Sequence, residues 1–297
     1  MANLEDMIEE VLLNLEGYIG DQDVYGTLAA NITDTATTFT VNGSVFPDGS
    51  GFSTGLVEIG TELVYVQNIN RTTGEFSGVL RGFRGTEAQA HLANTGVRNN
   101  PRFPRIAVVR AINDTIKSVY PKVYAVKTTE FIINGGVAQY DLPADTLNVI
   151  GVQILEKGIS KTWRRSRRWS FDITGGSNSA TGKVVNIFDA PSSYTVQVTY
   201  TAEPSALDYG DNFATTTGLP EWTRDLIIIG ACWRLASFID SAKVAVMSAE
   251  QGLLNQVSPV GAGSNIAKQF AGMYQLRLQE VETRIKQEYQ AQKHYIR

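Results

Sequence analysis

LPEWTRDLIIIGACWRLA, residues 219–236, contains the longest apolar run in this 297-residue chain and is the best starting point for predicting its architecture. Pro220 suits the first turn of a helix, where a missing N–H costs nothing. The apolar positions then recur at roughly heptad spacing, at Trp222, Leu226, Ile229 and Trp233. Because adjacent isoleucines widen this face, the helix must be covered on several sides. We therefore expect this helix to lie either in the centre of its domain or between subunits.

Three further helices are predicted from apolar periodicity. Residues 1–26 contain an amphipathic helix and a linker, and a middle helix runs from about Pro104 to Pro121. The last helix spans about residues 264–289, with an unbroken i+3/i+4 stripe from Ile266 to Tyr289. At about 1.5 Å per residue it would reach some 35 to 40 Å, which is more than a compact domain needs for itself.

Two regions have the short alternating runs and turn residues of β-strands. Residues 27–100 indicate a small all-β module, and residues 128–202 supply around six strands with short loops. Loops this short exclude the crossover helices of a parallel sheet, so the second region is predicted to be an antiparallel meander. The expected fold class is α+β, with a helical domain over 101–297 that has a long C-terminal helix and an antiparallel β insertion. The N-terminal helix and the all-β module precede that domain.

Composition excludes several functional classes. The formal net charge is only -4, which gives no global electrostatic footprint for nucleic acid or a membrane. The first 25 residues contain seven acids and no Lys or Arg, the reverse of a signal peptide, and no apolar run is long enough for a bilayer. We expect a soluble protein of a reducing cytoplasm with no membrane partner.

The sequence contains partial matches to catalytic and cofactor motifs, and each one lacks a residue that its chemistry requires. A phosphate-loop-like stretch at 177–184 lacks its first glycine, and a calcium-loop-like start at Asp21 has Ile32 where a bidentate Glu belongs. One cysteine, Cys232, and two histidines make a thiolate or histidine metal site improbable. We expect His91 to be a hydrogen-bonded structural residue. The sequence thus predicts no enzyme, no metal and no cofactor.

The strongest local charge feature is KTWRRSRRW, residues 161–169, with five cations, two tryptophans and no acid. At a hairpin tip, alternation would place cations on both faces, so such a strand cannot lie in a core. Arginine with tryptophan suits phosphate contact with stacking, and equally suits a protein interface. A protein partner, DNA and a solvated loop all stay open for Trp163, Arg164, Arg165, Arg167, Arg168 and Trp169.

A second basic cluster accompanies the middle helix, at Arg98, Arg102, Arg105, Arg110, Lys117 and Lys122. The N-terminal helix is acidic, so its charge is opposite in sign to that of this cluster. This pairing suggests charge complementarity between neighbouring subunits.

The order of elements resembles a known family. YDLPADTLNVIGVQI (140–154), YTVQVTYTAEP (194–204), residues 219–236 and the long terminal helix are similar to the head-to-tail adaptor (connector) proteins of long-tailed bacteriophages. Separately, residues 59–91 resemble a small β module of several phage virion proteins, whose ending Arg81-Gly82, Gly85-Thr86 and His91 match. Together the two resemblances cover most of the chain.

The resemblance implies a structural virion protein that assembles as a ring, commonly a dodecamer, beneath the portal vertex. In such a ring the contacts between subunits would include Trp222, Leu226, Ile229 and Trp233. Such a connector joins the capsid to the tail through stopper or tail-terminator proteins. Genomic DNA passes through its lumen without sequence-specific binding. It would be assembled in the bacterial host cytoplasm and act at the head–tail interface, in capsid assembly and genome ejection. Family members bind the portal with a C-terminal segment, which corresponds here to Glu288, Tyr289, Lys293, His294, Tyr295, Ile296 and Arg297.

Two alternatives stay open. The β module alone would fit a tail or baseplate component, whose partners would be tail proteins rather than the portal. The basic segment 161–169 would fit a DNA-binding protein, whose affinity would fall steeply with salt.

Overall fold

The computed structural model describes residues 3–17, 23–43, 51–135, 139–157, 161–175, 179–237 and 262–290. Helix and strand each account for 32% of the chain, and sheets, including a closed barrel of six strands, dominate the architecture. The predicted fold class, a helical domain with a long C-terminal helix and a β insertion, is therefore wrong. The second β region forms two sheets that have an apolar core of their own, so it is not an insertion that depends on a helical domain.

The chain divides into two compact units. The first unit in sequence is built mainly from Ile8–Ala111 and contains the barrel. The second is built mainly from Ile112–Trp233 with the long helix from Ala267 onward, and it contains the two sheets. The predicted boundaries at residues 26, 100 and 128–202 stay a prediction.

The barrel closes in the strand order β1-β2-β5-β4-β3-β6, with all neighbours antiparallel. Its strands are β1 (Val24–Leu28), β2 (Thr38–Asn42), β3 (Gly55–Ile59), β4 (Glu62–Asn70), β5 (Glu75–Leu80) and β6 (Gly96–Asn99). A short 3-10 turn at Phe83–Gly85 follows β5. Closure leaves no free sheet edge, because every strand has two neighbours.

The barrel interior is filled by alternate residues of its strands. In β2, for example, Phe39 and Val41 are buried while their neighbours are exposed. Phe76 stacks on Phe39 with ring centroids 5.0 Å apart and meets Phe52 edge-on at 5.7 Å. This period-two burial is the sequence pattern that predicted strands here.

The other unit contains a four-stranded sheet in the order β10-β9-β13-β7 and a three-stranded sheet in the order β11-β12-β8. Their strands are β7 (Ala125–Ile132), β8 (Gln139–Asp141), β9 (Asn148–Leu155), β10 (Trp163–Arg165), β11 (Trp169–Asp172), β12 (Val184–Ile187) and β13 (Thr195–Ala202). The antiparallel pairing is confirmed. The predicted meander is wrong, because β13 lies between β7 and β9 rather than beside β12.

The two sheets share one apolar core. The last strand, β13, buries Val196, Val198, Tyr200 and Ala202 in strict alternation. Trp169 of β11 joins the same core from the three-stranded sheet. Both sheets therefore contribute to one packed layer, as expected for sheets that face each other.

Five α-helices complete the described fold: α1 (Leu4–Glu16), α2 (Arg105–Val119), α3 (Phe213–Thr217), α4 (Arg224–Ala236) and α5 (Ala262–Glu288). A capping box begins α1, where the Asp6 amide donates to Asn3 Oδ1 and the Asn3 amide donates to Asp6 Oδ2. A 3-10 turn at Glu221–Thr223 leads into α4. Within the described residues, no helix combines the length and apolar character that a membrane span requires.

Candidate interaction surfaces

The basic segment forms a corner between the two sheets, not the tip of a hairpin. Arg165 ends β10, where it pairs with Gln153 of β9, and Trp169 begins β11 in the other sheet. Between them Ser166 is buried. Its hydroxyl donates to Asp189 Oδ1, and its amide donates to the Val152 carbonyl at 2.9 Å. We call Trp163, Arg164, Arg165, Arg167 and Arg168 the arginine corner.

The charges of the arginine corner are mostly unpaired. Arg164 Nε lies 3.3 Å from Glu156 and its Nη1 lies 3.9 Å from Asp189. Among the residues that the structure describes, no carboxylate forms an ion pair with the exposed guanidinium groups of Arg165, Arg167 and Arg168. The corner therefore presents net positive charge to its surroundings.

Trp169 does not belong to this surface. Its side chain is 2% exposed and packs in the core that the two sheets share. The prediction that Trp169 contacts a partner or DNA is therefore wrong, because the chain turns inward after Arg168. Trp163 is 39% exposed and stays available.

The apolar helix α4 is covered largely by its own chain. Leu226 is fully buried, and Ile229 is half-buried. Trp222 lies beneath the Arg284 guanidinium of α5 at 4.1 Å, and Trp233 stacks on Tyr274 of α5 at 5.5 Å. Part of the apolar surface of α4 is thus covered within one chain, and Leu226 has no surface left for a second copy, whereas Trp222, Ile229 and Trp233 are only partly buried.

The last turn of α5 adjoins an open pocket of about 520 Å³. Tyr120, Tyr124, Lys286 and Tyr289 are among the side chains that line it. Burial raises the pKa of Tyr124, and the nearby ammonium of Lys286 opposes the shift. Glu288 is exposed and pairs with Arg284 at 2.8 Å. The remaining predicted portal-binding residues, Lys293, His294, Tyr295, Ile296 and Arg297, lie outside the described residues.

The motif that ends the β module builds a buried ionic cluster around Glu62, which is 0% exposed. Arg81 donates to both carboxylate oxygens, from Nε at 2.8 Å and from Nη2 at 2.7 Å. The amides of Gly82 and Gln89 donate at 2.9 and 3.2 Å, and His91 Nε2 lies 2.8 Å from Oε2. Burial alone would raise the pKa of Glu62, but these hydrogen bonds together lower it.

This cluster confirms that His91 is a hydrogen-bonded structural residue. Its partner could not be identified from the sequence, because Glu62 lies 29 positions earlier in an ordinary strand. Across the described ranges, no three His, Cys, Asp or Glu side chains group as metal ligands.

Two arginines of the second basic cluster, Arg98 and Arg105, form ion pairs with acids of the same chain. Arg98 donates to Glu58 at 2.8 Å and forms an ion pair with Asp23. The Arg105 amide donates to Glu58 at 2.6 Å, and the Arg105 guanidinium pairs with Glu9 of α1. Burial raises the pKa of Glu58 despite these cations. Arg105 and Glu9 of the acidic helix thus neutralise each other within one subunit, so this contact does not require a neighbour.

Comparison with known families assigns the protein that carries these surfaces to the structural adaptor proteins of phages. The family model described as SU10 adaptor protein matches residues 86–292. The chain belongs to the SU10 adaptor protein family. The match covers the two sheets, α2 to α5 and the arginine corner, whereas β1 to β5 of the barrel lie outside it. No curated protein matches the chain.

Proposed function

We propose that this phage adaptor is the head-to-tail connector of a long-tailed phage. It forms a ring under the portal, joins the capsid to the tail and lets genomic DNA pass, without making or breaking bonds. The family match over residues 86–292 is the observation that supports this proposal most directly. It spans Ile112–Trp233, the main part of the unit from which the C-terminal segment extends.

The portal contact in this proposal is the C-terminal segment after α5. Glu288 and Tyr289 belong to the last turn of α5 and its end, and the Tyr289 amide still donates to the Ile285 carbonyl at 2.9 Å. Residues 291–297, AQKHYIR, combine an aromatic residue with three basic ones counting the histidine. Tyrosine and arginine are among the residue types that contribute most at protein interfaces.

A truncation tests the portal contact. Removing residues 291–297 leaves α5 and the Arg284–Glu288 ion pair in place. We expect an unchanged melting temperature and loss of co-sedimentation with portal rings of the same phage. A Leu92→Ser variant is the control, because this exposed leucine between β5 and β6 lies in the other unit and should not affect portal binding. Normal binding by the truncated protein would show that the docking site lies elsewhere.

The ring contact is a separate part of the proposal. Trp222, Ile229 and Trp233 keep part of their surface exposed on α4. On α5, Met273 and Leu276 are 45% and 67% exposed, three residues apart and thus on one face. Such apolar groups on a long helix suit a contact with the next subunit.

Charge placed on this face tests the ring. Leu276→Glu should leave a folded monomer, because Leu276 is mostly exposed, but should abolish rings in negative-stain images of the portal complex. Leu13→Glu is the control, since Leu13 is equally exposed, at 68%, in the part of α1 that belongs to the other unit. Intact twelvefold rings with Leu276→Glu would remove this face from the interface.

A tail or baseplate component is the second candidate, favoured by the barrel strands that lie outside the family match. The same co-sedimentation experiment distinguishes the two functions. A connector binds portal rings, whereas a baseplate component binds tail-tube or tail-tip proteins instead.

A further inference from the structure

We propose that the arginine corner binds the phosphodiester backbone of DNA without sequence preference. This inference goes beyond the connector role and does not depend on it, because it concerns a surface of the single subunit. It rests on the position of the corner, its unpaired charge and the exposed aromatic rings beside it.

The backbone of the corner is held in place. Asp189 accepts from the Ser166 hydroxyl and, at 3.2 Å, from the Arg167 amide. The Arg168 carbonyl accepts from the Phe188 amide at 2.9 Å. Because the main chain is fixed at successive points, the outward side chains start from defined positions, and little backbone entropy is lost on binding.

Apart from Arg164, the arginines of the corner are not used in ion pairs with described residues of the fold. Glu156 and Asp189 both lie at Arg164, and Asp189 also accepts hydrogen bonds from the corner backbone. Arg165, Arg167 and Arg168 are exposed, and no described carboxylate pairs with them. Three guanidinium groups within four residues form a multivalent site for phosphate, which the planar guanidinium fork binds well.

Two exposed aromatic rings border these cations. Trp163 is 39% exposed and Phe188 is 52% exposed. A protein interface is the competing explanation, since Arg and Trp are also enriched there. The burial of Trp169 reduces the aromatic surface that either explanation could use. What stays exposed is dominated by positive charge, which favours a polyanion.

The expected affinity is weak and strongly dependent on salt. Three phosphate contacts predict that log K falls against log salt with a slope of about -2.7. Between about 50 and 200 mM salt the affinity should therefore fall roughly 40-fold. A contact this weak at physiological salt is compatible with DNA that has to move past the protein.

Fluorescence anisotropy of the full-length protein with a labelled duplex of arbitrary sequence tests the inference. We expect saturable binding at low salt with the slope given above, and the same affinity for a duplex of different sequence. The combined variant Arg165→Gln, Arg167→Gln and Arg168→Gln should lose measurable binding. Its melting temperature should not change, because these side chains are exposed.

The matched control removes three exposed charges elsewhere, as Lys117→Gln, Lys122→Gln and Lys268→Gln. It changes the net charge by the same amount and should bind like the parent. Equal loss in both variants would show that only net charge matters and would overturn the site. So would absence of binding by the parent at about 50 mM salt. Displacement of the duplex by polyglutamate at lower charge concentration than by unlabelled duplex would assign the corner to an acidic protein instead.

Discussion

Replacing Gly230 with alanine should destabilise the unit that contains α4, although alanine is the better helix former. At Gly230 the helix passes close to two other helices of the same unit. An added Cβ atom would lie 2.8 Å from Tyr274 Cε2 and 3.1 Å from Tyr274 Cδ2, and closer still to Thr115 Cγ2. Carbon atoms in contact normally lie about 3.5–4.0 Å apart. The added methyl group therefore has no room.

The size of the effect follows from two opposing contributions. Overpacking a well-filled core typically costs about 1–3 kcal/mol. Replacing glycine by alanine in a helix gains about 0.8–1.0 kcal/mol. Because Thr115 and Tyr274 are both buried, neither can move aside freely, and the cost should lie at the upper end. We expect a net loss of about 2 kcal/mol in the free energy of unfolding.

Gly272→Ala is the matched control, since Gly272 lies in α5 and no atom comes within 4 Å of the methyl group that alanine would add. It should raise stability by about 0.4–1 kcal/mol. Tryptophan fluorescence during urea unfolding measures both, because all four tryptophans lie within the unit concerned. Trp233, stacked on Tyr274, reports directly on the packed site.

A second substitution identifies the clash. Thr115→Ser deletes the Cγ2 atom that an alanine at 230 would meet, while it keeps the hydroxyl. In the Gly230→Ala background it should recover part of the lost stability, although in the parent it should cost some. If Gly230→Ala were as stabilising as Gly272→Ala, or if Thr115→Ser gave no recovery, the close packing of these helices would be refuted.

Three further predictions concern buried groups. Glu62→Gln should lower the free energy of unfolding of the barrel by about 3–5 kcal/mol, because it leaves the Arg81 charge buried without its carboxylate. Hydrogen exchange of β4 and β5 should accelerate accordingly. The control variant Glu282→Gln should lower the free energy of unfolding by less than about 0.5 kcal/mol. Hydrogen bonds outweigh the effect of burial and lower the pKa of Glu62 in the folded state. The stability that the ionised Glu62 provides should therefore be present above its unfolded pKa of about 4.3 and be lost as the pH falls through the lower folded pKa. Acid unfolding of the parent should be steeper than that of Glu62→Gln, and parallel curves would contradict this. Cys232 is fully buried, so a thiol reagent should modify it only after denaturation, and stoichiometric labelling of the native protein would refute its placement.

Local patterns were sufficient to predict most of the secondary structure. The amphipathic spacing of α1, the run that forms α4 and the alternation in β2 and β13 each depend on residues a few positions apart. Hydrophobic periodicity encodes which face of an element is buried, so it can be read without knowing the partner. The family resemblance likewise rests on apolar and turn positions in a fixed order, and the family match over 86–292 supports its coarse conclusion.

What the sequence left open or predicted wrongly concerns which elements meet. The sequence shows that α4 needs cover on several sides, but not that Arg284 and Tyr274 of the same chain supply it. It shows a basic segment, but not that Trp169 turns into a core while Arg165 stays outside. Each of these outcomes depends on contacts between residues far apart in the chain.

The amino-acid sequence alone was thus enough for most helices and strands, their buried faces and the class of structural protein, because these follow from short-range periodicity and from the order of segments. The closure of the barrel, the placement of β13 between β7 and β9, and the pairing of Glu62 with Arg81 and His91 became visible only in three dimensions. Pairing between strands and between charges is set by which distant groups reach each other at the lowest free energy. No local pattern records that choice.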